Sequence, residues 1–397
     1  MKRILVVNDF PVFPIVHGGK VRIFNIYQNL SSKYQIHYVC LGDNAEIQNR
    51  PISENFHEVS VPKTFFYKII TSVAGLFMRS SVDDFVALFF ASSNATLKKV
   101  IQKELAESDI VIFCHPYMYP VVAPYIENQF IIYEALNVEY TLKKSILPDG
   151  VLKKVMLRRL KMTGQALFNQ CNLCFAMSED DKHIFTQVYG ADASKIKIAP
   201  NGVDFEYYTE VYQNRMCKKE HIIPVPLILF MGSGHPPNVE SAQQIIRNIA
   251  PRLPDAYFLI AGSVCWMVRN ENPGKNVGLA YLITDEEKRE LFSVTGVAIN
   301  PMMSGSGTNL KMLDYMAAGL PVVSTEVGAR GIDLENGIHA IICDIDMFHE
   351  KISEIINDNN LSESLSSNGR DLVRARYGWK EIAGSMAEAI HEVTGEQ

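Results

Sequence analysis

At 397 residues the chain is too long for one ordinary hydrophobic core and suits two domains of roughly 150 to 200 residues each. It is 47% hydrophobic and 21% charged with a formal net charge of -6, the balance of a soluble globular protein, and an acidic total argues against general nucleic-acid binding. Seven cysteines without a repeating pattern point to a reducing compartment and to no disulfide framework.

Met1, Lys2 and Arg3 run straight into a short apolar strand, Ile4 to Val7, with no secretory leader. No apolar run approaches the roughly 18 to 20 residues that span a bilayer, so the expected location is the cytoplasm. The loop after this strand carries Gly18 and Gly19 and leads into an amphipathic segment, Val21 to Leu30. In a doubly wound sheet that loop lies at the carboxyl edge, where ligands bind, which makes Gly18 and Gly19 candidate site residues. Lys20 and Arg22 read as solvated charges opening a helix.

Further strands are expected at Ile36 to Leu41 and at Asp109 to Cys114, the latter ending in His115. A histidine just past a buried strand sits on the ligand edge, where its imidazole can meet a hydroxyl. Phe130 to Ala135 gives the next strand, and Asn137 and Glu139 follow it at the same edge. Two stretches allow a peripheral contact with anionic membrane as well as a purely structural role. Residues 63–79 mix aromatics, aliphatics and flanking cations, and Lys143 to Lys161 holds Lys143, Lys144, Lys153, Lys154, Arg158, Arg159 and Lys161 against the single acid Asp149. Cys171 and Cys174 form a lone pair that runs into the strand Leu173 to Met177, and packing is their expected role.

Pro200, Asn201 and Gly202 make a turn, and the polar, aromatic and charged residues 205–226 read as a linker. A second strand–glycine loop–helix series then begins: Leu227 to Met231 followed by Gly232, and Tyr257 to Gly262 with Gly262 at its edge. This repeats the logic of the first half, as two Rossmann-like domains would. The division expected is 1–204, a linker 205–226, 227–376, and a last helix, 377–397, returning to the first domain.

The most informative stretch is Ala298 to Gly331: an apolar strand (Val297 to Asn300), a loop of small residues, a helix, and a second strand from Val322. Thr308 or Ser306 can cap the helix, Gly319 can end it, and Pro321 prevents its continuation. Gly305 and Gly307 leave room for a ligand against the free N–H groups of Thr308, Asn309 and the first turn, a natural phosphate site. Lys311 and Asp314 lie three apart on that helix, placing a cation and a carboxylate at one mouth. The bland reading of the same residues is an exposed ion pair on an ordinary crossover helix.

SGSGTNLKMLDYMAAGLPVVST resembles the signature helix of glycosyltransferase family 4, retaining enzymes of the GT-B fold with nucleotide-sugar donors. The resemblance implies an α/β chain of two Rossmann-like domains facing across a cleft, a nucleotide-diphosphate sugar as donor, a hydroxyl-bearing glycan or lipid-linked acceptor, and no metal or other cofactor. Of the family's two glutamates, the second falls on Asp314, implied to hold the ribose, and the first on Ser306, which has lost the charge facing the donor sugar. His115, Lys311 and Ser306 are the implied catalytic positions. Gly18, Gly19, Gly232, Gly262, Gly305, Gly307, Thr308, Asn309 and Asp314 are implied to bind donor. Asn137 and Glu139, in a segment similar to the family's HNVE, are implied acceptor or cleft residues. The cations that many relatives place after the Gly232 loop are missing up to Arg247. An epimerase or phosphorylase on the same architecture, or a binding protein that has lost turnover, are the alternatives to a transferase.

Overall fold

The computed structural model describes residues 1–15, 18–78, 82–218, 225–305 and 308–395. They form two compact units, Met1–Pro200 with Ile382–Gln397, and Asn201–Glu381.

The first unit is built on eight strands: β1 (Arg3–Asn8), β2 (Gln35–Gly42), β3 (Gln48–Ser53), β4 (Phe56–Pro62), β5 (Ile110–Phe113), β6 (Phe130–Glu134), β7 (Leu173–Ala176) and β8 (Ile196–Ile198). Their order is β3-β4-β2-β1-β5-β6-β7-β8, parallel throughout except for the edge strand β3. The central strands are apolar on both faces because helices cover both, and Ile4 to Val7 and Ile110 to Phe113 are wholly buried. Cys171 and Cys174 are buried free thiols packed in this core, and burial pushes the Cys171 thiol up to about 11.

The second unit is an all-parallel sheet of six: β9 (Leu227–Met231), β10 (Tyr257–Ala261), β11 (Val277–Ala280), β12 (Val297–Asn300), β13 (Val322–Ser324) and β14 (Ile341–Ile342), in the order β11-β10-β9-β12-β13-β14. The period of two decides which core each side chain enters. Ile228 and Phe230 of β9, Phe258 and Ile260 of β10, and Val297 and Ile299 of β12 pack into one layer. Leu229, Ala261 and Ala298 pack into the other.

Residues 205–218, expected as linker, are instead the helix Phe205–Lys218. Tyr208 and Val211 are buried with Met312 and Tyr315 in the second core layer, so tertiary packing of an aromatic face overrides a composition that reads as polar.

Arg22 corrects the sequence reading too. It is 1% exposed: its Nε donates to Glu134 Oε1 at 2.9 Å and its other nitrogens to the carbonyls of Pro200 and Ala199. Glu134 also accepts from the Tyr27 hydroxyl. A charge with no water survives only where carboxylate and carbonyls replace the lost hydration, and here they do. Lys20 is buried as well, and desolvation lowers its pKa below the ordinary lysine value. Arg22→Leu leaves Glu134 buried without its cation and is expected to cost about 3–5 kcal/mol in urea unfolding, with much of it regained in Arg22→Leu combined with Glu134→Leu. A loss below about 1 kcal/mol in the single variant would show that the pair is dispensable.

Candidate functional site

In a doubly wound sheet the strand order reverses at one point, and the loops leaving the two strands there part to form a crevice. In the second unit that point lies between β9 and β12. The β9 loop, the β12 loop and the neighbouring β10 loop enclose a pocket of about 420 Å³, lined among others by Gly232, Asn238, Gly262, Gly305, Lys311 and Asp314. Thr308 and Asn309 line it as well. Seven of the residues expected to bind donor or act in catalysis are thus brought together. Ser306 and Gly307 lie outside the described residues.

The glycines are there for space. Gly262 has φ +102°, and a Cβ on it would stand 2.4 Å from the Gly232 carbonyl oxygen, so two strand ends cross at a distance only glycine allows. Gly319 ends the Leu310–Ala317 helix as expected, at φ +69°, with its own and the next N–H turned back to Met316 and Tyr315. The helix start differs from expectation: Asn309 is the N-cap, and neither Thr308 nor Asn309 caps it through a side chain. The Asn309 amide donates instead to the carbonyl of Gly328 at 3.1 Å, which ties the loop to the next crossover. In the first turn the Met312 N–H bonds back to the Asn309 carbonyl at 2.9 Å.

Lys311 is the main charge on the mouth. Its Nζ donates to Asn238 Oδ1 at 2.6 Å and lies 4.4 Å from the centre of the Phe230 ring. Neither neighbour is an anion, and desolvation lowers the Lys311 pKa to about 7. Asn238 is fixed in turn by donating to Ser233 Oγ at 3.1 Å. Arg247, the first cation after the Gly232 loop, is committed to Glu271 at 2.6 Å. Asp314 lies on the same helix face. Lys288 bridges its Oδ2 at 3.0 Å to the hydroxyl of Tyr208 at 2.7 Å. Burial, then Asp314, hold the Tyr208 phenol protonated. Asn238, Lys288 and Tyr208 carry no local sequence signal: they reach the site from other helices.

In the first unit the order reverses between β1 and β5, and a second polar cluster stands at that point. Asn8 donates to the Tyr38 hydroxyl at 2.8 Å, and that hydroxyl donates to the Phe10 carbonyl. The chain of donors turns Asn8 Oδ1 toward His115, so His115 Nδ1 carries the proton of their 2.8 Å bond. Glu139 Oε1 is 3.5 Å from His115 Nε2, and Asn137 donates to the same oxygen at 3.5 Å, while Tyr117 donates to Oε2 at 2.5 Å. His115, Asn137 and Glu139 are therefore one group. Gly18 and Gly19 open the Gly18–Leu30 helix of this unit.

Sequence reasoning missed Asp9, the residue after β1. It is 8% exposed, and its Oδ1 has no hydrogen bond, its nearest charged neighbour being His115 at 3.5 Å. Desolvation raises its pKa to about 6. No group of three or more His, Cys, Asp or Glu among the described residues is placed to hold a metal ion.

Residues 225–358, which contain every residue lining the second unit's pocket, match the family described as Glycosyl transferases group 1. The similarity to the group 1 glycosyl transferases lies within this segment of the second unit. Over 174 residues, 40% of this chain and 44% of the relative, the chain is 26% identical to an uncharacterized 44.6 kDa protein in the cps region of Klebsiella pneumoniae. Over 222 residues, 51% and 53% of the two chains, it is 25% identical to the D-inositol 3-phosphate glycosyltransferase of Paenarthrobacter aurescens. It thus spans about half the length of these curated relatives. The crystal structure of Anabaena Alr3699/HepE in complex with UDP superimposes with a TM-score of 0.69 over 99% of this chain and 100% of that one, at 14% identity. The shared fold is GT-B.

Two pH effects follow. Between about pH 7 and 10.5 the unfolded chain holds a proton on Lys311 that the folded chain lacks, so this residue's contribution to stability rises with pH across that window. Wild type should gain stability relative to Lys311→Met when unfolding is compared at about pH 7 and about pH 9.5. Asp9 has the opposite sign. Between pH 3.8 and about 6 the folded chain holds the extra proton, and its destabilising effect is complete above that range. Asp9→Asn should be more stable than wild type at pH 7 by on the order of 2–3 kcal/mol and equal to it near pH 4. An Asn variant less stable at pH 7 would mean that the carboxylate is satisfied in the folded chain.

Proposed function

We propose that the chain transfers a sugar from a nucleotide-diphosphate donor to a hydroxyl acceptor, a glycan or lipid-linked alcohol, with retention of configuration and without a metal ion. The observation that carries this reading is Lys311: an amine in the switch-point pocket of the segment similar to group 1 glycosyl transferases, beside a helix N-terminus, with a neutral amide in place of a counter-ion. A diphosphate supplies the charge that this arrangement lacks. Developing negative charge on the departing diphosphate is stabilised by donors already in position, and no metal is needed for that role. Asp314, held by Lys288, accepts from the ribose hydroxyls. Ser306, in the position of the family's first glutamate, offers the donor sugar a hydroxyl. His115 Nε2, with Asn137 and Glu139, receives the acceptor. UDP is the first nucleotide to test because the Anabaena protein of this fold was crystallised with it.

Thermal unfolding with nucleoside diphosphates, with and without EDTA, is the test. A saturating ligand at 100 times its dissociation constant stabilises by about 2.7 kcal/mol. Wild type should be stabilised by UDP or another nucleoside diphosphate, Asp314→Ala much less, and EDTA should change neither. A shift that survives in Asp314→Ala, or that requires a divalent ion, contradicts the assignment. Binding should also take up a proton at about pH 8 as the diphosphate draws the Lys311 amine back to its charged form, read by calorimetry in buffers of different ionisation enthalpy. Lys311→Met should bind without that uptake. Retention is read from the anomeric NMR signal of the first product, and an inverted anomer would overturn it.

A further inference from the structure

Two helices of the first unit turn apolar side chains outward. On the Phe65–Met78 helix, Tyr67 is buried while Phe65 is 80% exposed and Leu76 81%, with Phe66, Ile69 and Val73 exposed between them. At about 100° per residue Phe65, Ile69, Val73 and Leu76 fall within one stripe. On the Val151–Gln170 helix, Leu160 and Leu167 face inward. Val151, which is 79% exposed, Val155, Arg158 and Met162 form the outward stripe. This second helix has five cations and no acid, in a chain whose total is -6. Lys154 and Arg159 flank its stripe, both exposed, and no carboxylate pairs with Arg158 or Arg159 among the described residues. The two helices are joined through Asp83–Phe90: Tyr67 and Thr71 donate to Asp83, and Lys143, on the helix before the basic one, pairs with Asp84. Phe89 of that connecting helix is exposed too.

We propose that these two outward stripes dock the protein on an anionic lipid bilayer, entering the headgroup–acyl boundary with their flanking cations on the lipid phosphates. Charge selects this occupant. A second copy docking symmetrically would bring the same cations, Lys154, Arg158 and Arg159 among them, against each other. An acidic protein would answer the cations but would need matching apolar grooves for two separate helices. A bilayer interface offers anionic groups at the level of the cations and hydrocarbon beneath, the order in which an apolar stripe flanked by long basic side chains presents itself. No helix among the described residues is long and apolar enough to cross a membrane, so the contact is peripheral. It is independent of the donor pocket, and the UDP-driven thermal shift should be the same in every variant below.

The test is co-sedimentation of the full chain with vesicles of phosphatidylcholine alone or mixed with phosphatidylglycerol, at low and high salt. Each cation near such a surface contributes about fivefold in partitioning, so Arg158→Glu with Arg159→Glu should weaken binding to anionic vesicles by at least about 25-fold. Phe65→Ser with Leu76→Ser should weaken it by at least about tenfold, and salt should weaken the wild type. All four positions are exposed, and unchanged thermal unfolding will show that the variants fold. Equal or absent partitioning of wild type on the two vesicle types overturns the proposal without reference to any variant. A concentration-dependent dimer in light scattering that dissociates in Phe65→Ser with Leu76→Ser overturns it in favour of a second copy.

Discussion

An amine held against an aromatic ring with a neutral amide as its acceptor is the interaction around which the second unit is arranged. Lys311 reaches Asn238 because the Leu310–Ala317 helix and the Pro236–Gln244 helix leave adjacent strands at the point where the sheet reverses direction. The loops after β9 and β10 approach closely because Gly262 has no side chain to meet the Gly232 carbonyl. Two other cations of this unit are paired: Arg247 with Glu271, and Lys288 with Asp314. A lysine whose charge is desolvated and unanswered costs the protein stability.

The first unit shows the same separation between charges that build the fold and charges left over. Arg22, Glu134 and Tyr27 satisfy one another and hold the Ala199–Pro200 turn, so their burial is structural. Asp84 is answered by Lys143. Asp9 is not answered in this way: it is a buried carboxylate with one oxygen unbonded, beside a histidine whose Nδ1–H is held by Asn8. The two sheets thus carry their unsatisfied polar groups at corresponding places, each beyond the carboxyl ends of the strands that flank the reversal.

Much of the architecture could be read from the chain because buried parallel strands are continuous apolar runs. Leu227 to Met231 and Val297 to Asn300 have the bounds that the apolar runs indicate. Gly319 was legible as a helix stop because few other residues adopt its backbone angle. The edge strand β3, with its mostly exposed residues, and the two-residue β14 have no such run. Arg22 was misread because sequence shows a cation near a helix start and not the glutamate 112 residues later that buries it. The 205–218 helix was misread as linker because its anchoring face consists of tyrosines and one valine among charges, and only the opposing core distinguishes packing from exposure. In the site, Lys311 and Asp314 were legible as a pair on one helix face. Asn238, Lys288 and Tyr208, which decide how that pair is held, come from three other helices and were not.

The central claim is that the switch-point pocket of the second unit is shaped for a diphosphate and its ribose. A crystal structure of the chain grown with a nucleoside diphosphate tests it most directly. The account predicts the phosphates between the Gly232 loop and the start of the Leu310–Ala317 helix, the Lys311 amine moved from Asn238 onto a phosphate oxygen, and a ribose hydroxyl on Asp314. Nucleotide bound elsewhere, with Lys311 still on Asn238 and Asp314 touching only Lys288, would contradict it.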